Sequence, residues 1–352
     1  MSRADSLAEL MRRRELDSLL VTNLVNVRWL CGFTGTNGAC VVSSEERLFV
    51  TDFRYVEQAG GEVAGFETVK GERDLLGDLA GRLSGRAGFD DAHVTVRAHR
   101  KLSEALGDGT ELVAAGGLVE QLREVKEEGE LRAIGAAAAL ADDALRVVLE
   151  RGLVGRSELA VARELERELR ERGAEDPSFP AIVAAGAQGA LPHAQPRDAE
   201  IPAGELVIVD WGARLDGYCS DCTRTLATGE LSEQAAHVYE LVREAQDRAL
   251  SAVRPGAGLS EVDAIARELI EGAGHGERFG HGLGHGVGLE VHEGPRLAKT
   301  AEGELAAGNV VTVEPGVYLP GQLGVRIEDL VAVTDGGSQV FSSLPKDLTT
   351  VD

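Results

Sequence analysis

The pattern of hydrophobic and polar residues predicts short helices and strands along the first third of the chain and longer ones afterwards. In the first part, the spacing predicts helices over 6–14 and 96–105, and strands over 17–21, 39–42 and 48–51. In the second part, it predicts helices up to 149 and over 157–171, 232–253 and 260–271, and strands over 206–213, 218–227, 310–314 and 324–333. This mixture favours an α/β or α+β architecture.

The change of pattern coincides with a charged run over 122–130. A chain of 352 residues also exceeds the usual size of a single hydrophobic core, which makes two domains the better expectation. We therefore predict an α/β domain over 1–122 and a second domain over 123–352. Every candidate ligand described below lies in the second domain, so we expect that domain to be catalytic.

Charge and cysteine usage restrict the partners and the compartment. The formal net charge of −23 argues against binding to nucleic acid or to an anionic membrane, because both favour a basic surface. No apolar stretch is long enough to span a bilayer, and four cysteines make no disulfide framework, so we expect a cytoplasmic protein. Cys219 and Cys222 form an isolated CxxC pair, which in a strand would face opposite sides of the sheet. We therefore do not expect it to be a metal or redox site.

A two-residue turn at Asp216-Gly217 is a strong hairpin signal, because both central positions of a type I′ turn need positive φ. The resulting register places Asp210 diagonally across from Asp221 on one face, with Gly212 opposite Asp221 leaving room for an ion. Two carboxylates on a partly buried face repel each other and call for a compensating cation. The alternative is an ordinary polar hairpin with solvated acids.

The segment 280–288 contains five glycines, and four of the eight histidines lie between 275 and 292. His281 and His285 are four residues apart, as on a zinc-binding helix, but so many glycines would strongly destabilise a helix. We predict a loop or irregular strand in which glycine lets the main chain approach a metal or substrate closely.

Two glutamates complete a candidate ligand set. Glu314 ends the apolar strand over 310–314, and Glu328 lies in the strand over 324–333 with Arg326 on the same face. The proposed ligands are four carboxylates and one imidazole: Asp210, Asp221, His285, Glu314 and Glu328. Their negative charges would balance two divalent cations, Mn²⁺ in the first place, with Co²⁺ or Zn²⁺ as alternatives. Such a pair of ions can generate hydroxide near neutral pH.

These residues, in this order, resemble the metallopeptidases of the creatinase/aminopeptidase family with the "pita-bread" fold, and within it the Xaa-Pro peptidases. The resemblance covers essentially the whole chain and implies a creatinase-like N-terminal domain followed by a pita-bread catalytic domain. It also implies that Asp210 chelates one ion, that His285 and Glu314 hold the other, and that Asp221 and Glu328 bridge both. Glu314 would also handle the proton of the attacking hydroxide.

The same resemblance implies roles for residues around the ligands. His193 would line the substrate pocket, His281 would lie beside the scissile amide, and His292 would contact the substrate carbonyl and assist proton transfer. Tyr318 would line the pocket, and Arg326 would orient a metal ligand from behind.

The N-terminal runs Gly-Phe-Thr-Gly-Thr-Asn-Gly over 32–38 and Thr-Asp-Phe-Arg-Tyr over 51–55 look like the aminopeptidase branch. We therefore expect an Xaa-Pro aminopeptidase that acts on proline-containing peptides, and the family resemblance also implies a homodimer. The alternative is an Xaa-Pro dipeptidase, in which Arg296 would bind the substrate carboxylate. A non-catalytic peptide-binding relative is a further possibility, but such relatives have lost ligands and none is missing here.

Overall fold

The computed structural model describes residues 2–352, and the chain divides into two compact units, Met1–Arg123 and Glu124–Asp352. None of the helices within 2–352 is both long enough and apolar enough to cross a membrane. The α-helices are α1 (Arg3–Arg13), α2 (Leu24–Cys31), α3 (Val56–Glu62), α4 (Leu75–Ala80), α5 (Val96–Ala105), α6 (Leu118–Arg123), α7 (Glu128–Glu150), α8 (Glu158–Glu171), α9 (Glu233–Ser251) and α10 (Leu259–Gly272).

The strands of the first unit are β1 (Ser18–Val21), β2 (Gly38–Ser43), β3 (Arg47–Thr51), β4 (Glu67–Lys70), β5 (Arg86–Phe89) and β6 (Glu111–Ala114). Those of the second unit are β7 (Asp176–Pro177), β8 (Ile182–Ala185), β9 (Leu206–Trp211), β10 (Ala213–Leu215), β11 (Tyr218–Cys219), β12 (Cys222–Ala227), β13 (Gly284–Gly286), β14 (Glu293–Leu297), β15 (Val310–Val313), β16 (Gly316–Leu319), β17 (Leu323–Arg326), β18 (Asp329–Thr334) and β19 (Gly337–Val340). The mixture confirms the predicted α/β and α+β class.

The first unit is built on one six-stranded sheet with the order β4-β3-β2-β1-β5-β6. The strand β1 pairs antiparallel with β2 and parallel with β5, so the sheet is mixed. Its core includes the buried side chains of Leu20, Val41, Val50 and Phe89, with helices α4 and α5 contributing Leu79 and Leu102. The predicted strands over 17–21, 39–42 and 48–51 are all present, and α5 has the predicted bounds.

The second unit has two main apolar clusters. In one, helices α7 and α8 pack against β8, β9 and β12 through residues such as Leu145, Leu165 and Val209. In the other, helices α9 and α10 pack against β15, β17 and β18 through residues such as Val242 and Val313. The strands that carry the predicted ligands therefore have rigid helical layers behind them.

The predicted hairpin register is confirmed. Asp216 and Gly217 have φ values of 50° and 79°, as the type I′ turn requires. Leu215 faces Tyr218, and the same register continues to the pairs of Trp211 with Cys222 and Asp210 with Thr223. Asp210 therefore lies diagonally across from Asp221.

Three predicted strands are interrupted where the chain changes its partner. The predicted strand over 324–333 is wrong at its centre: Arg326 pairs with β16, Asp329 pairs with β15, and Glu328 lies between the two strands. The strand over 206–213 breaks at Gly212, because β9 pairs with β8 and β12 whereas β10 pairs with β7 and β11. Asp221 lies in the matching break between β11 and β12, which frees it from the ladder.

Candidate metal centre

The second unit contains a cavity of about 710 Å³ that is lined by every residue predicted to act at the site. The predicted ligands there come from β9, the break after β11, β13, the end of β15 and the break before β18: Asp210, Asp221, His285, Glu314 and Glu328. The other predicted residues on its wall are His193, His281, His292, Arg296, Tyr318 and Arg326. Segments that are far apart in sequence thus converge on one place.

His285 lies at the centre of the predicted ligands. Its Nε2 is 3.2 Å from Glu314 Oε1 and 3.6 Å from Asp221 Oδ2. One ligand atom from each of Asp221, His285 and Glu328 lies within 4.8 Å of the others, which is close enough for a single cation to reach all three.

The hydrogen bonds of His285 assign its tautomer. Its Nδ1 lies 3.1 Å from the carbonyl oxygen of Gly286, which can only accept, so Nδ1 carries the proton. In the neutral form of His285, which metal binding requires, Nε2 then keeps its lone pair directed at Asp221 and Glu314. An orienting backbone carbonyl behind a neutral imidazole is the arrangement that metal-binding histidines use.

Asp221 and Glu328 are buried carboxylates with like charges around them. Burial raises the pKa of Asp221 well above its usual range, and the nearby carboxylates of Glu328, Asp210 and Glu314 raise it further. The pKa of Glu328 is also raised well above its usual range, first by burial and then by Glu314 and Asp210. Such a cluster can be fully ionised only if cations compensate the repulsion.

Two buried carboxylate oxygens indicate where cations fit. Within residues 2–352, Asp210 Oδ1 and Glu328 Oε1 have no hydrogen-bond partner. The second oxygen of each is held: Asp210 Oδ2 accepts from Arg326 Nη2 at 2.6 Å, and Glu328 Oε2 accepts from Thr223 Oγ1 at 2.7 Å. Buried oxygens without partners are rare in proteins, and each leaves one lone-pair face available to a metal ion. The donor set therefore fits divalent cations.

Glu314 differs from the other carboxylates because it has a basic partner. Burial alone would raise its pKa, but without a metal ion His285 is protonated on both nitrogens, and its hydrogen bond and charge outweigh burial and lower the pKa of Glu314 to about 2. Thr312 Oγ1 also donates to Glu314 Oε1 at 3.1 Å. Glu314 is therefore ionised at neutral pH when no metal is bound.

Thr223 and Thr312 donate to the predicted ligands Glu328 and Glu314, and neither threonine is among the predicted site residues. Thr223 follows Asp221 by two residues, and Thr312 precedes Glu314 by two residues. Period-two alternation puts each threonine on the face of its neighbouring acid, so this signal could have identified both.

Glycine has two different uses near the ligands. At Gly284, an added Cβ would lie 1.9 Å from the carbonyl oxygen of Thr312, so glycine allows the backbone to approach β15 closely beside His285.

The prediction that Gly212 leaves room for an ion is wrong. An added Cβ there would lie 2.0 Å from the carbonyl oxygen of Ser220, so that space is filled by the hairpin itself.

Three further histidines face the cavity. The His292 ring lies 4.3 Å from the His285 ring between centroids, and its pKa is lowered by burial and then by His285. The pKa of His281 is lowered mainly by burial. His193 is exposed on the cavity wall. The lowered pKa values keep His281 and His292 neutral near pH 7, and a neutral imidazole can both donate and accept a proton.

Arg326 connects the predicted ligand Asp210 to Tyr318 and Pro192 on the cavity wall. Besides Asp210, its buried guanidinium donates to Tyr318 Oη at 2.9 Å and to the carbonyl oxygen of Pro192 at 3.1 Å. Tyr318 Oη in turn lies 2.9 Å from His281 Nε2. Arg326 therefore holds Asp210 from one side without covering its second oxygen.

Arg296 places a positively charged guanidinium group at the edge of the cavity. It pairs with His285 across the β13–β14 ladder and lines the cavity, and its side chain is exposed. Within residues 2–352 it forms no salt bridge, so its charge is available to an anionic group in the cavity.

Converging carboxylates, an oriented imidazole and neutral histidines define the class of the protein as a metal-dependent hydrolase. Residues 132–335 match metallopeptidase family M24, and residues 3–125 match the creatinase/prolidase N-terminal domain. The chain belongs to metallopeptidase family M24. This confirms the resemblance and the order of the two domains.

Relatives of known structure cover nearly the whole chain. The Xaa-Pro dipeptidase from Bacillus anthracis is 39% identical, with a TM-score of 0.96 and coverage of 99% of both chains. The X-Pro aminopeptidase from Thermotoga maritima is 35% identical, with a TM-score of 0.88 and coverage of 97% of this chain and 100% of the other. In sequence, the Xaa-Pro dipeptidase of Pyrococcus furiosus is 33% identical over 98% of this chain and 99% of its own length.

Proposed function

We propose that this protein is a metal-dependent Xaa-Pro dipeptidase, which hydrolyses the bond before proline in a two-residue peptide. Similar proteins named Xaa-Pro dipeptidase or prolidase come from Pyrococcus furiosus, Pyrococcus horikoshii and Bacillus anthracis. The observation that carries the proposal is Arg296, an exposed cation on the wall of the cavity and directly across the ladder from His285. A dipeptide has its carboxylate one residue beyond the scissile bond, where such a cation can bind it.

The metal ligands in this proposal are those of the sequence analysis. Asp210 would bind one ion, and His285 and Glu314 would bind the other. Asp221 and Glu328 would each bind both ions. The short distances from His285 Nε2 to Glu314 and Asp221 support this division, as does the unpartnered oxygen of Asp210. Two divalent cations bound there, Mn²⁺ by preference, would supply hydroxide near neutral pH and stabilise negative charge on the substrate carbonyl oxygen.

The chain's own groups bind the peptide and move protons. Glu314 would accept the proton released during attack and pass it to the leaving nitrogen. His292 would donate a hydrogen bond to the substrate carbonyl oxygen, and His281 would lie beside the scissile amide. His193 and Tyr318 would line the pocket around the proline ring.

The Xaa-Pro aminopeptidase, which the sequence analysis favoured, is the second candidate. The solved X-Pro aminopeptidase from Thermotoga maritima supports it at the level of the family. The names of the relatives and the position of Arg296 favour the dipeptidase, so the preference between the two branches is reversed here.

A peptide-length series tests the proposal. Purified protein with added Mn²⁺ is assayed on Ala-Pro, Ala-Pro-Ala and Ala-Ala, with a chelator as control. We expect the fastest turnover on Ala-Pro, none on Ala-Ala, and loss of activity with the chelator. The Arg296→Gln variant should raise KM for Ala-Pro more than for Ala-Pro-Ala. Faster cleavage of the tripeptide would replace the dipeptidase with the aminopeptidase, and turnover that survives chelation would contradict the metal mechanism.

Three further properties stay proposals: a homodimer, a cytoplasmic location and a domain boundary between 122 and 123. The compact units Met1–Arg123 and Glu124–Asp352 support the boundary. Sedimentation of the full chain would test the dimer.

A further inference from the structure

Helix α10 carries a buried ion pair that lies outside the ligand set. Arg267 donates to both carboxylate oxygens of Asp263, one turn earlier, through Nε and Nη2 at 2.7 Å each. Asp263 is 1% exposed and Arg267 is 7% exposed. Replacing such a pair by neutral residues is often neutral for stability or even stabilising, so stability alone does not account for it.

The pair binds the backbone of the glycine-rich segment. Arg267 Nη1 donates to the carbonyl oxygen of Phe279 at 2.9 Å, and Nη2 donates to that of His281 at 2.7 Å. Asp263 Oδ1 accepts from the backbone nitrogen of Leu283 at 3.0 Å. These three bonds bracket His281 on both sides. Glycines at 280 and 282 leave this stretch with unusual conformational freedom, so its order depends on such bonds.

A second line of contacts runs through the side chains. The guanidinium carbon of Arg267 lies 4.1 Å from the centroid of the Phe279 ring. The Phe279 ring meets the His281 ring edge-on, with centroids 5.1 Å apart. On its other side, the His281 ring is held by Tyr318 Oη at Nε2 and by the carbonyl oxygen of Gly282 at Nδ1. The imidazole is thus enclosed by groups that Arg267 or Arg326 hold in place.

We propose that Asp263 and Arg267 are positioning residues that hold the His281 imidazole at the correct place beside the substrate. This inference rests on the proposed function, because it takes His281 as a substrate-contacting group. The two branches differ in reach. Within the segment 279–283, Arg267 bonds to the backbone at 279 and 281 and packs on the Phe279 ring. The Asp263 branch continues through Leu283, whose carbonyl oxygen accepts from the backbone nitrogen of Glu314 at 2.8 Å. A test of His281 positioning therefore has to remove Arg267 while keeping an acceptor at 263.

The double variant Asp263→Asn/Arg267→Met meets that requirement. Asparagine keeps the acceptor for Leu283, methionine keeps apolar contact with Phe279, and neither leaves a buried charge. We expect kcat for Ala-Pro to fall about a hundredfold, the order of loss that a misplacement near 1 Å produces. The Mn²⁺ affinity measured by calorimetry and the KM for Ala-Pro should stay close to wild type, a split that general destabilisation would not produce.

Two other variants guard against a simple folding defect. Arg267→Lys keeps the charge opposite Asp263 and can donate to one carbonyl, so it should recover part of the lost kcat. Arg248→Met removes an exposed arginine that pairs with Glu244 one turn away on α9, and it should leave kcat unchanged. If the double variant does not fold, a wild-type kcat in Arg267→Lys would overturn the proposal, and a reduced kcat at wild-type Mn²⁺ affinity would support it.

Hydrogen exchange separates this inference from the proposed function. In the double variant, amide protection over 279–283 should fall while protection of β15 stays unchanged. Wild-type kcat together with unchanged protection over 279–283 would overturn the positioning role. If the wild-type protein cleaves no Xaa-Pro peptide, the proposed function fails, and the exchange result still decides whether the ion pair orders the His281 segment.

Discussion

Two neighbouring acids, Glu328 and Asp329, lie in opposite electrostatic surroundings. Glu328 faces the cavity among other carboxylates, and its Oε1 has no hydrogen-bond partner within residues 2–352. Asp329 faces the other way and accepts from Arg224 at 2.8 Å, from Lys346 at 2.9 Å and from Gln246 at 3.0 Å. Both side chains are buried.

A candidate ligand can be distinguished from a structural acid by the charge of its protein partners. Arg224 and Lys346 neutralise Asp329, so its charge is satisfied by the protein itself and ties β18 to α9 and the C-terminal segment. The charge of Glu328 is left for a group that the protein does not supply. Burial is the same for both, and the kind of partner is what separates them.

Removing the charge of Glu328 should weaken metal binding more than any other single substitution considered in this comparison. In Glu328→Gln, Mn²⁺ affinity and Ala-Pro turnover should each fall by more than about 100-fold, beyond the loss caused by removing a group that only supports a ligand. The metal-free variant should be at least as stable as metal-free wild type, because one repulsive charge has been removed. Calorimetric titration and thermal unfolding in EDTA measure the two effects.

An exposed acid supplies the control for that experiment. Glu240→Gln on α9 loses only a surface pair with Arg243, and it should match wild type in metal binding and turnover. Retained Mn²⁺ affinity in Glu328→Gln would remove Glu328 from the ligand set.

The reverse pattern is expected for Asp329→Asn. Removing one partner of a buried ion pair leaves Arg224 without compensation and should cost about 3 to 5 kcal/mol in the free energy of unfolding. Urea denaturation measures this loss, and Asp143→Asn, which breaks an exposed pair with Arg146, should cost less than about 1 kcal/mol. A stable Asp329→Asn protein that has lost its metal affinity would invalidate the distinction between the two acids.

The sequence could predict the parts of the site that depend on local rules. A two-residue turn sets the register that brings Asp210 near Asp221, and the end of an apolar strand marks Glu314. The break at Glu328 could not be read in this way, because it arises where the chain exchanges β16 for β15 as its partner. The exchange depends on tertiary structure, and the alternation of hydrophobic and polar residues along one strand does not reveal it.

The contacts between distant segments could not be predicted from the sequence either. Nothing in the pattern over 259–272 indicates that Asp263 and Arg267 would face residues 279–283 rather than solvent. Charges four apart on a helix are common on exposed faces, and only the packing of α10 buries this pair. The residue pattern and the resemblance to a known family predicted the ligands, whereas the residues that support them could be found only from the coordinates.

The smallest expected effect tests the support of Glu328 without touching its charge. Thr223→Val removes the hydroxyl that donates to Glu328 Oε2 at 2.7 Å and keeps the side-chain shape. Mn²⁺ affinity should fall about tenfold, the lower end of what loss of a group behind a ligand costs. The same hydroxyl accepts from Arg326 Nε at 3.1 Å, so Asp210 loses part of its support as well.

Thr228→Val is the matched control, because this buried threonine follows β12 and donates to the carbonyl oxygen of Pro202 instead of a ligand. Each hydroxyl donates one buried hydrogen bond and accepts another, so both variants should lose stability by a similar amount, about 1 kcal/mol for each bond lost. Only Thr223→Val should lose metal affinity. Equal Mn²⁺ affinities in the two variants would mean that the strand geometry alone holds the Glu328 carboxylate in place. The contrast between Glu328 and Asp329 would then depend on the charges around each acid, and the orientation that Thr223 gives to Glu328 would contribute nothing.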